Sequence, residues 1–244
     1  MGLRAEAAPA GSPRSAAAWL GLIAAVVLAL AGPARSWAAP GNVLSEQKIN
    51  DVSGGFAGIL ADYDYFGSSI APIGDLDGNG VTDLAVGAYG DDDGGSLRGA
   101  VWLLWLTSSG TVSSFAKISD TAGGFLGALS DGDLFGYAVT GLGDLDGDGV
   151  SDIAVGAPRD DDGGTDRGAV WILFLKADGS VKGDQKIRDT VGGFTGTHND
   201  GDWFGGALSA LGDLDGDGVG GLAGSAQVDD DGGLDRGAVW ILFL

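Results

Sequence analysis

The sequence predicts an all-β fold built from β-propeller blades, and three observations support this fold class. Glycine supplies 48 of the 244 residues, roughly three times ordinary usage, and each interior glycine costs a helix about 1 kcal/mol relative to alanine. One sequence unit is written three times at a constant step. Each unit divides into four short strand-like runs, and tandem units of four antiparallel strands are typical of propeller blades.

Composition excludes several classes of protein. The chain has 34 acidic and 13 basic residues and a net charge of −21, so it would repel the phosphate backbone of a nucleic acid and attract cations. Hydrophobic residues make up 44% of the chain, which argues against disorder. The absence of cysteine excludes disulfides, a cysteine nucleophile, cysteine-ligated zinc and a cysteine-anchored lipid.

The first element, residues 1–39, is interpreted as a secretory signal peptide. Basic residues precede an uncharged stretch, residues 16–34, and small residues follow it, with cleavage expected after Ala38 or Ala39. The alternative is an uncleaved membrane anchor, because the uncharged stretch is marginally long enough to span a bilayer. A helix-breaking Gly-Pro pair near its end favours cleavage. We therefore expect a secreted or cell-surface protein with no membrane contact apart from this segment.

The rest of the chain is one unit repeated at a step of 69 residues. The segment that begins Asp-Leu-Asp-Gly at Asp75 returns at Asp144 and again at Asp213. A constant step indicates supersecondary units that stack on one another. We divide the chain into residues 40–111 (unit one with a preceding closing strand), residues 112–180 (unit two) and residues 181–244 (unit three, incomplete). Other landmarks keep the same step: Phe66-Gly67, Phe135-Gly136 and Phe204-Gly205; Arg98, Arg167 and Arg236; Lys48, Lys117 and Lys186.

The middle copy of the repeat illustrates the four strands. Its first predicted strand, Phe135 to Leu142, ends at a Gly-Asp turn, and Ser151 to Ala157 is the second. Gly168 to Leu175 is continuously apolar and rich in β-branched and aromatic residues, which indicates a strand buried on both faces. Val181 to Ile187 is more polar and suits a sheet edge. The chain before unit one, Val43 to Asn50, is predicted to be a strand of this fourth type.

The turn between the first and second strands carries the most informative motif, Asp-x-Asp-x-Asn/Asp-Gly-x-x-Asp. Calcium takes six to eight oxygen ligands at about 2.3–2.6 Å. Acids at positions 1, 3 and 5 face inward when the turn curls around one ion, and glycine at position 6 permits the bend. Position 7 offers a carbonyl and position 9 another acid. We predict calcium ligands at Asp75, Asp77, Asn79, Val81 and Asp83; at Asp144, Asp146, Asp148, Val150 and Asp152; and at Asp213, Asp215, Asp217 and Val219.

The third loop departs from this pattern. Gly221 stands where the other loops have an acid at position 9, so we expect weaker binding there, with water completing the ligand shell. The alternative for every loop is a Gly-Asp turn adopted for backbone reasons alone. Ligation entirely by oxygen disfavours zinc and copper.

Together, Phe135-Gly136, the aspartate loop and Gly156-Ala157-Pro158 resemble the FG-GAP repeat of the integrin α-subunit N-terminal domain, most closely the bacterial secreted proteins that carry tandem copies. The resemblance covers about residues 43–244. Unit three is the weakest match, because it has Gly-Ser-Ala in place of Gly-Ala-Pro. The resemblance implies a β-propeller with calcium in hairpin loops on one face, and adhesion or protein recognition outside the cell.

The number of units is too small for a propeller, which usually has four to eight blades. The chain is therefore either a fragment of a longer propeller, which we favour, or one that associates with further copies to complete a ring. Exposed blade faces would promote such association.

Other repeated residues have structural interpretations that we prefer to functional ones. We expect the Asp-Asp-Asp runs at residues 91–93, 160–162 and 229–231 to be solvated acidic loops rather than second cation sites. His198 has leucine at the equivalent positions of the other units, so a catalytic base is not expected there. Three tryptophans suit blade packing better than a sugar-stacking platform: Trp102, Trp171 and Trp240.

Three functions from different classes follow. The favoured function is a calcium-binding extracellular recognition or adhesion module whose partner is a protein or glycan. The second is a carbohydrate-binding propeller. The third is an enzyme, or a non-catalytic accessory region of one. We predict no enzyme activity, because every acid recurs with the repeat, whereas an active site normally breaks repeat symmetry.

Overall fold

Strands joined by glycine-rich turns make up the regular structure of the described residues. The computed structural model describes residue 39 and residues 41–244. Its strands, in chain order, are β1 (Ile70–Pro72), β2 (Leu84–Ala88), β3 (Ala100–Leu106), β4 (Val112–Ser119), β5 (Ala138–Gly143), β6 (Asp152–Ala157), β7 (Ala169–Leu175), β8 (Val181–Ile187), β9 (Phe204–Ala210), β10 (Leu222–Ala226) and β11 (Ala238–Leu242).

Each copy of the repeat forms one antiparallel sheet. Sheet one has the order β1-β2-β3-β4, sheet two β5-β6-β7-β8, and sheet three β9-β10-β11. The same register recurs, since Trp102 pairs with Lys117 in sheet one and Trp171 pairs with Lys186 in sheet two. The all-β class and the four-stranded unit are therefore confirmed for sheets one and two.

The fourth strands lie beyond the divisions drawn from the sequence at residues 111 and 180. β4 begins at Val112 and β8 at Val181, and each pairs with the strand that precedes it in the chain. A short turn between two apolar-faced strands favours a hairpin. Sheets one and two, which end at Ser119 and Ile187, therefore extend past the corresponding sequence divisions.

The sheets stack face to face through alternate side chains of their central strands. Leu103 of sheet one and Leu173 of sheet two lie in one buried cluster. A second cluster joins the other face of sheet two to sheet three, and Ile172 and Phe204 are among its members. This packing is consistent with that of adjacent propeller blades.

Two glycines meet wherever one sheet packs on the next, and they explain why small residues are required there. A Cβ added to Gly87 would lie 2.0 Å from the carbonyl oxygen of Gly136, and one added to Gly156 would lie 2.0 Å from that of Gly205. Backbones can approach this closely only without side chains. The Phe-Gly pair of one copy thus fits against the Gly-Ala pair of the preceding copy.

Two strand predictions are wrong. Val43 to Asn50 does not form a strand, because it is irregular up to an isolated bridge at Asn50. Strand pairing needs a neighbouring strand edge, and no described residue supplies one for this segment. The first strand of the middle copy begins at Ala138 instead of Phe135, because Phe135 is held in a parallel bridge to Gly99 of sheet one.

Residues Gln47–Leu244 form one compact unit. The predicted signal peptide, residues 1–39, lies outside the described residues except for Ala39. Among the described residues, no helical segment combines the length and apolarity that a membrane crossing requires.

Candidate metal-binding loops

The loop between the first two strands of each sheet curls around its first aspartate. In sheet one, Asp75 Oδ1 accepts hydrogen bonds from the N–H groups of Gly78 (2.9 Å) and Asn79 (3.0 Å), and Oδ2 accepts one from Gly80 (2.7 Å). Asp144 makes the same three contacts in sheet two. Because several backbone N–H groups converge on one carboxylate, these loops are curved without a bound ion.

Glycine is needed in these loops for its backbone conformation. Gly80, Gly149 and Gly218, at position 6, have φ values of 84°, 88° and 93°. An added Cβ would meet nothing within 4 Å at any of them. The left-handed conformation, which L side chains rarely adopt, therefore explains the residue type.

Three aspartates converge in each of the three loops, and one carboxylate oxygen from each lies within 4.8 Å of the other two. Alternating spacing along a curled backbone turns these side chains to the same side, which is the oxygen-rich arrangement that calcium prefers. The donor set thus fits a hard divalent cation. The clusters are Asp75, Asp77 and Asp83; Asp144, Asp146 and Asp148; and Asp213, Asp215 and Asp217.

The acid at position 9 has a role that sequence reasoning missed. Asp83 is completely buried, and its two oxygens accept N–H groups from Leu76 and from Leu106, each at 2.8 Å. Asp152 accepts the two corresponding N–H groups at 3.0 Å and 2.9 Å. This acid therefore ties the loop to the end of the third strand. Burial raises the pKa of Asp152, and the two N–H donors oppose that rise.

The third loop lacks this tie. Gly221 offers no carboxylate, so the N–H groups of Leu214 and Leu244, which correspond to the donors of the other loops, have no such acceptor. Asp213 still accepts two N–H groups of its own loop, at 2.7 Å and 2.9 Å. The loop keeps its curvature and loses its attachment to the third strand.

The second loop contains a lysine contact. Lys182, on β8, places Nζ 2.8 Å from Asp146 Oδ2 and in contact with Asp148. The two carboxylates raise the pKa of Lys182, and the lysine lowers the pKa of Asp148. The equivalent position in sheet one is Ser113, so the loops differ in a group that would compete with a cation.

The Asp-Asp-Asp runs are not simply solvated. Asp91 and Asp160 begin the first two runs and are buried, and their carboxylates pair with Lys117 at 2.6 Å and Lys186 at 2.5 Å. Each lysine comes from the fourth strand of the same sheet and contacts a second acid of the run. The expectation of a solvated loop is therefore wrong for the first acid of these two runs.

Acids before the Phe-Gly pair serve the turn and the neighbouring sheet. The buried Asp133 accepts the N–H of Ser130 at 2.8 Å within its own turn. Desolvation, reinforced by the charge of Asp160, raises the pKa of Asp133 to about 7. The exposed Asp131 instead pairs with Arg98 of sheet one at 2.9 Å, which joins adjacent sheets.

The repeated tryptophans pack as expected, with Trp102 and Trp171 buried and Trp240 partly buried against the core. Trp102 and Trp171 are each 4% exposed, so neither can offer a sugar-stacking surface. His198 is also buried, stacks on Phe204 with ring centroids 4.4 Å apart, and has a pKa lowered by desolvation. These contacts give His198 a packing role.

A tyrosine cluster, Tyr65, Tyr89 and Tyr137, breaks the repeat symmetry, and sequence reasoning missed it. Tyr65 and Tyr89 stack with ring centroids 4.9 Å apart, and Tyr137 lies 5.2 Å from Tyr89. The three rings line an open cavity that also includes residues 206–208 of sheet three. Tyr89 directly follows β2, whereas the metal loop directly precedes β2, so the cluster and the loops lie at opposite ends of the sheet. The non-repeated tyrosines were the available signal.

Comparison with known protein families identifies the repeat that contains these loops. Residues 66–104 and 135–173 each match the FG-GAP repeat model. The chain carries FG-GAP repeats. Each match begins at a Phe-Gly pair and continues through the aspartate loop into the third strand. The third copy of the repeat lies outside the matched residues, consistent with its substitutions at Gly221 and in the Gly-Ser-Ala segment.

The relatives of these FG-GAP repeats include integrin α-subunits. Integrin alpha-5 from Xenopus laevis is 40% identical over 99 residues, which is 40% of this chain and 9% of the relative. Integrin alpha-IIb from Homo sapiens is 38% identical over 96 residues, 39% of this chain and 8% of the relative. Integrin alpha-4 from Xenopus laevis is 32% identical over 161 residues, 63% of this chain.

The region that matches spans at most 14% of the length of these three relatives. The comparison therefore identifies the repeat and not a whole integrin subunit. All three relatives are animal proteins, so the closer resemblance to bacterial secreted proteins stays a prediction.

Proposed function

We propose that this chain is a calcium-binding recognition or adhesion module that acts outside the cell. The observation that carries the proposal is the convergence of three carboxylates in the same loop of each sheet. Without a cation, carboxylates this close repel one another. A bound calcium ion would remove that repulsion and stabilise the folded chain by mass action.

The ligands proposed for calcium follow from which oxygens are free. Asp146 accepts no backbone N–H, and both its oxygens contact Lys182, so they could turn to an ion once that lysine moves away. Asp144 and Asp152 already accept backbone N–H groups and would share their remaining lone pairs. Further ligands would be the side-chain oxygen of Asn79 and the carbonyl oxygens of Val81, Val150 and Val219.

Thermal melting in calcium, magnesium and chelator tests the metal site. We expect calcium to raise the melting temperature well above the value in chelator, with a smaller effect of magnesium. Asp146→Asn should reduce the calcium-dependent rise, because it removes one negative charge from the proposed ligands and leaves the backbone contacts of the loop intact. Equal melting temperatures in calcium and chelator would contradict the proposal.

The proposed recognition surface is the tyrosine cluster at the end opposite the metal loops. Aromatic rings combine apolar contact area with a polar edge, which suits binding surfaces. Tyr65 is 51% exposed and its neighbour Tyr63 76% exposed. A binding role is favoured over a catalytic one, because the acids of the loops recur by repetition and the one histidine is buried in the core.

Arrays of extracellular-matrix proteins and of glycans, probed with the calcium-loaded chain, test recognition and separate the protein-binding proposal from the carbohydrate-binding alternative. Binding should be lost in Tyr65→Ala. Binding should be retained in Lys176→Ser, which changes an exposed residue that follows β7, at the metal-loop end of sheet two. Binding to neither array, or binding unaffected by Tyr65→Ala, would contradict a recognition role for this surface.

A further inference from the structure

His198 occupies a position that the other copies of the repeat fill with leucine. The equivalent residues are Leu60 and Leu129, and Leu129 packs in the buried apolar cluster of sheets one and two. The imidazole of His198 is fully buried and stacks on the rings of Phe194 and Phe204, with centroids 4.8 Å and 4.4 Å away. A titratable side chain therefore stands in a site suited to an apolar one.

Neither ring nitrogen of His198 has a hydrogen-bond partner among the described residues. Nδ1 lies 3.4 Å from Asp189 Oδ1, but that oxygen accepts the backbone N–H of His198 at 2.7 Å. The other oxygen of Asp189 pairs with Arg167 at 2.9 Å. A neutral imidazole has one N–H donor and one acceptor nitrogen, so the folded chain holds both of them unpaired and away from water.

The charges that act on this ring differ in sign. Asp189 and Asp229 favour the protonated imidazole, whereas Arg167, from the turn between β6 and β7, opposes it. The largest effect is desolvation, because a charged ring loses its water when it is buried. The pKa of His198 in the folded chain is therefore lowered from the usual histidine value of 6.5.

Other charged residues of the elements packed on this ring are engaged elsewhere. β9 and β11, which supply two of the aromatic rings in contact with it, contain no charged residue. Asp200, close to His198 in the chain, pairs with Arg167 at 2.7 Å. Asp202 accepts the backbone N–H of Asn199 at 2.6 Å. Proton uptake by His198 is thus opposed for as long as the ring stays packed.

We propose that His198 makes residues 189–203, which connect β8 to β9, detach from sheet three in mild acid. Phe194 and His198 hold this connection against the sheet, because both rings stack on Phe204 and meet Trp240 edge to face. An imidazolium is stabilised by water that the packed site excludes. Protonation therefore favours the form in which the connection has moved away from the sheet and the ring reaches solvent.

The direction of this pH dependence follows from the lowered pKa of His198. The packed form binds the proton more weakly than the detached or unfolded form, so its stability is complete above about pH 6.5 and falls below that value. One proton changes the equilibrium between the two forms by up to about tenfold for each pH unit. Residues 120–134, the equivalent connection between β4 and β5, carry Leu129 instead and should stay attached.

Nuclear magnetic resonance of the full natural chain tests the detachment, because His198 is its only histidine and its ring signal needs no assignment by mutation. As the pH is lowered from about 7.5 to about 5, the backbone signals of residues 194–204 should shift or broaden as the ring takes up its proton. The signals of residues 125–135, around Leu129, are the internal control and should not follow. Unchanged signals from residues 194–204, or equal changes in the two segments, would overturn the proposal.

Replacing the histidine by the residue of the other copies tests whether His198 is the group responsible. In His198→Leu, the signals of residues 194–204 should no longer respond to acid, and urea unfolding should show a smaller loss of stability below about pH 6.5 than in the natural chain. Thr197→Leu, which changes an exposed residue of the same connection, is the matched control and should keep the natural response. An acid response that persists in His198→Leu, or that disappears in both variants, would overturn the proposal.

Discussion

At the scale of single residues, the second loop differs from the first by one side chain. Lys182 binds the two carboxylates, Asp146 and Asp148, that a cation would also use. An ammonium group and a divalent ion cannot both occupy that position, so the lysine would have to be displaced for calcium to bind. The calcium affinity proposed for this loop is therefore reduced by the free energy needed to displace Lys182 from the two carboxylates.

Replacing this lysine tests that competition. Lys182→Ser, which introduces the residue of sheet one, should raise the calcium affinity of the second loop by about tenfold. Lys176→Ser is the matched control, because it removes the same charge from an exposed position outside the strands that has no ion-pair partner among the described residues. Calorimetric titration that finds equal affinities in the natural chain and in Lys182→Ser would contradict the competition.

Asp133 makes the folding stability of the chain fall as the pH rises. A salt-bridged acid has the opposite effect. Burial raises the pKa of Asp133 in the folded chain to about 7, well above the usual aspartate value. The folded state therefore holds its proton more tightly than the unfolded state, and the stability that this provides is lost as the pH rises through about 7.

Replacing this acid by its neutral isostere tests the sign of that dependence. In chelator, Asp133→Asn should lose less stability than the natural chain between about pH 5 and pH 8, because asparagine has no proton to release. Urea unfolding at several pH values measures the loss. Identical pH dependences of the two chains would show that Asp133 does not titrate in this range.

At the scale of the loop and its strands, the acid at position 9 holds the hairpin to the third strand. Asp152→Ala would leave the N–H groups of Leu145 and Leu175 without their acceptor, at a cost of about 1–3 kcal/mol for each buried donor. For two donors we expect a loss of about 2–6 kcal/mol in the free energy of unfolding, even in chelator.

Chemical unfolding of Asp152→Ala in chelator measures this loss. Asp230→Ala is the matched control, because it removes an exposed acid and should change stability little. If Asp152→Ala is destabilised only when calcium is present, the acid acts as a ligand alone and the proposed tie is wrong.

The sequence predicts this loop in outline and misses part of its physics. The spacing of Asp144, Asp146 and Asp148 predicts the convergence that the structure contains, and the 69-residue step predicts its repetition. The contact of Asp152 with Leu175, by contrast, joins residues that are far apart in the chain. A local motif does not contain such contacts, which depend on how the strands and sheets pack.

At the scale of the whole molecule, each sheet depends on its neighbour. Apolar side chains, paired glycine backbones and arginine–aspartate pairs recur at both sheet-to-sheet contacts. The stacked sheets are predictable from the sequence, because the repeat is regular. The strand predicted at residues 43–50 is wrong, because strand pairing also requires a partner edge.

The most direct test of the account is calorimetric titration of calcium into the metal-free chain. We predict uptake of at least two ions per chain, with tighter binding at the first two loops and weaker binding at the third, and loss of one tight site in Asp146→Asn. Absence of calcium uptake, or full uptake by Asp146→Asn, would contradict the claim that the aspartate loops bind the ion.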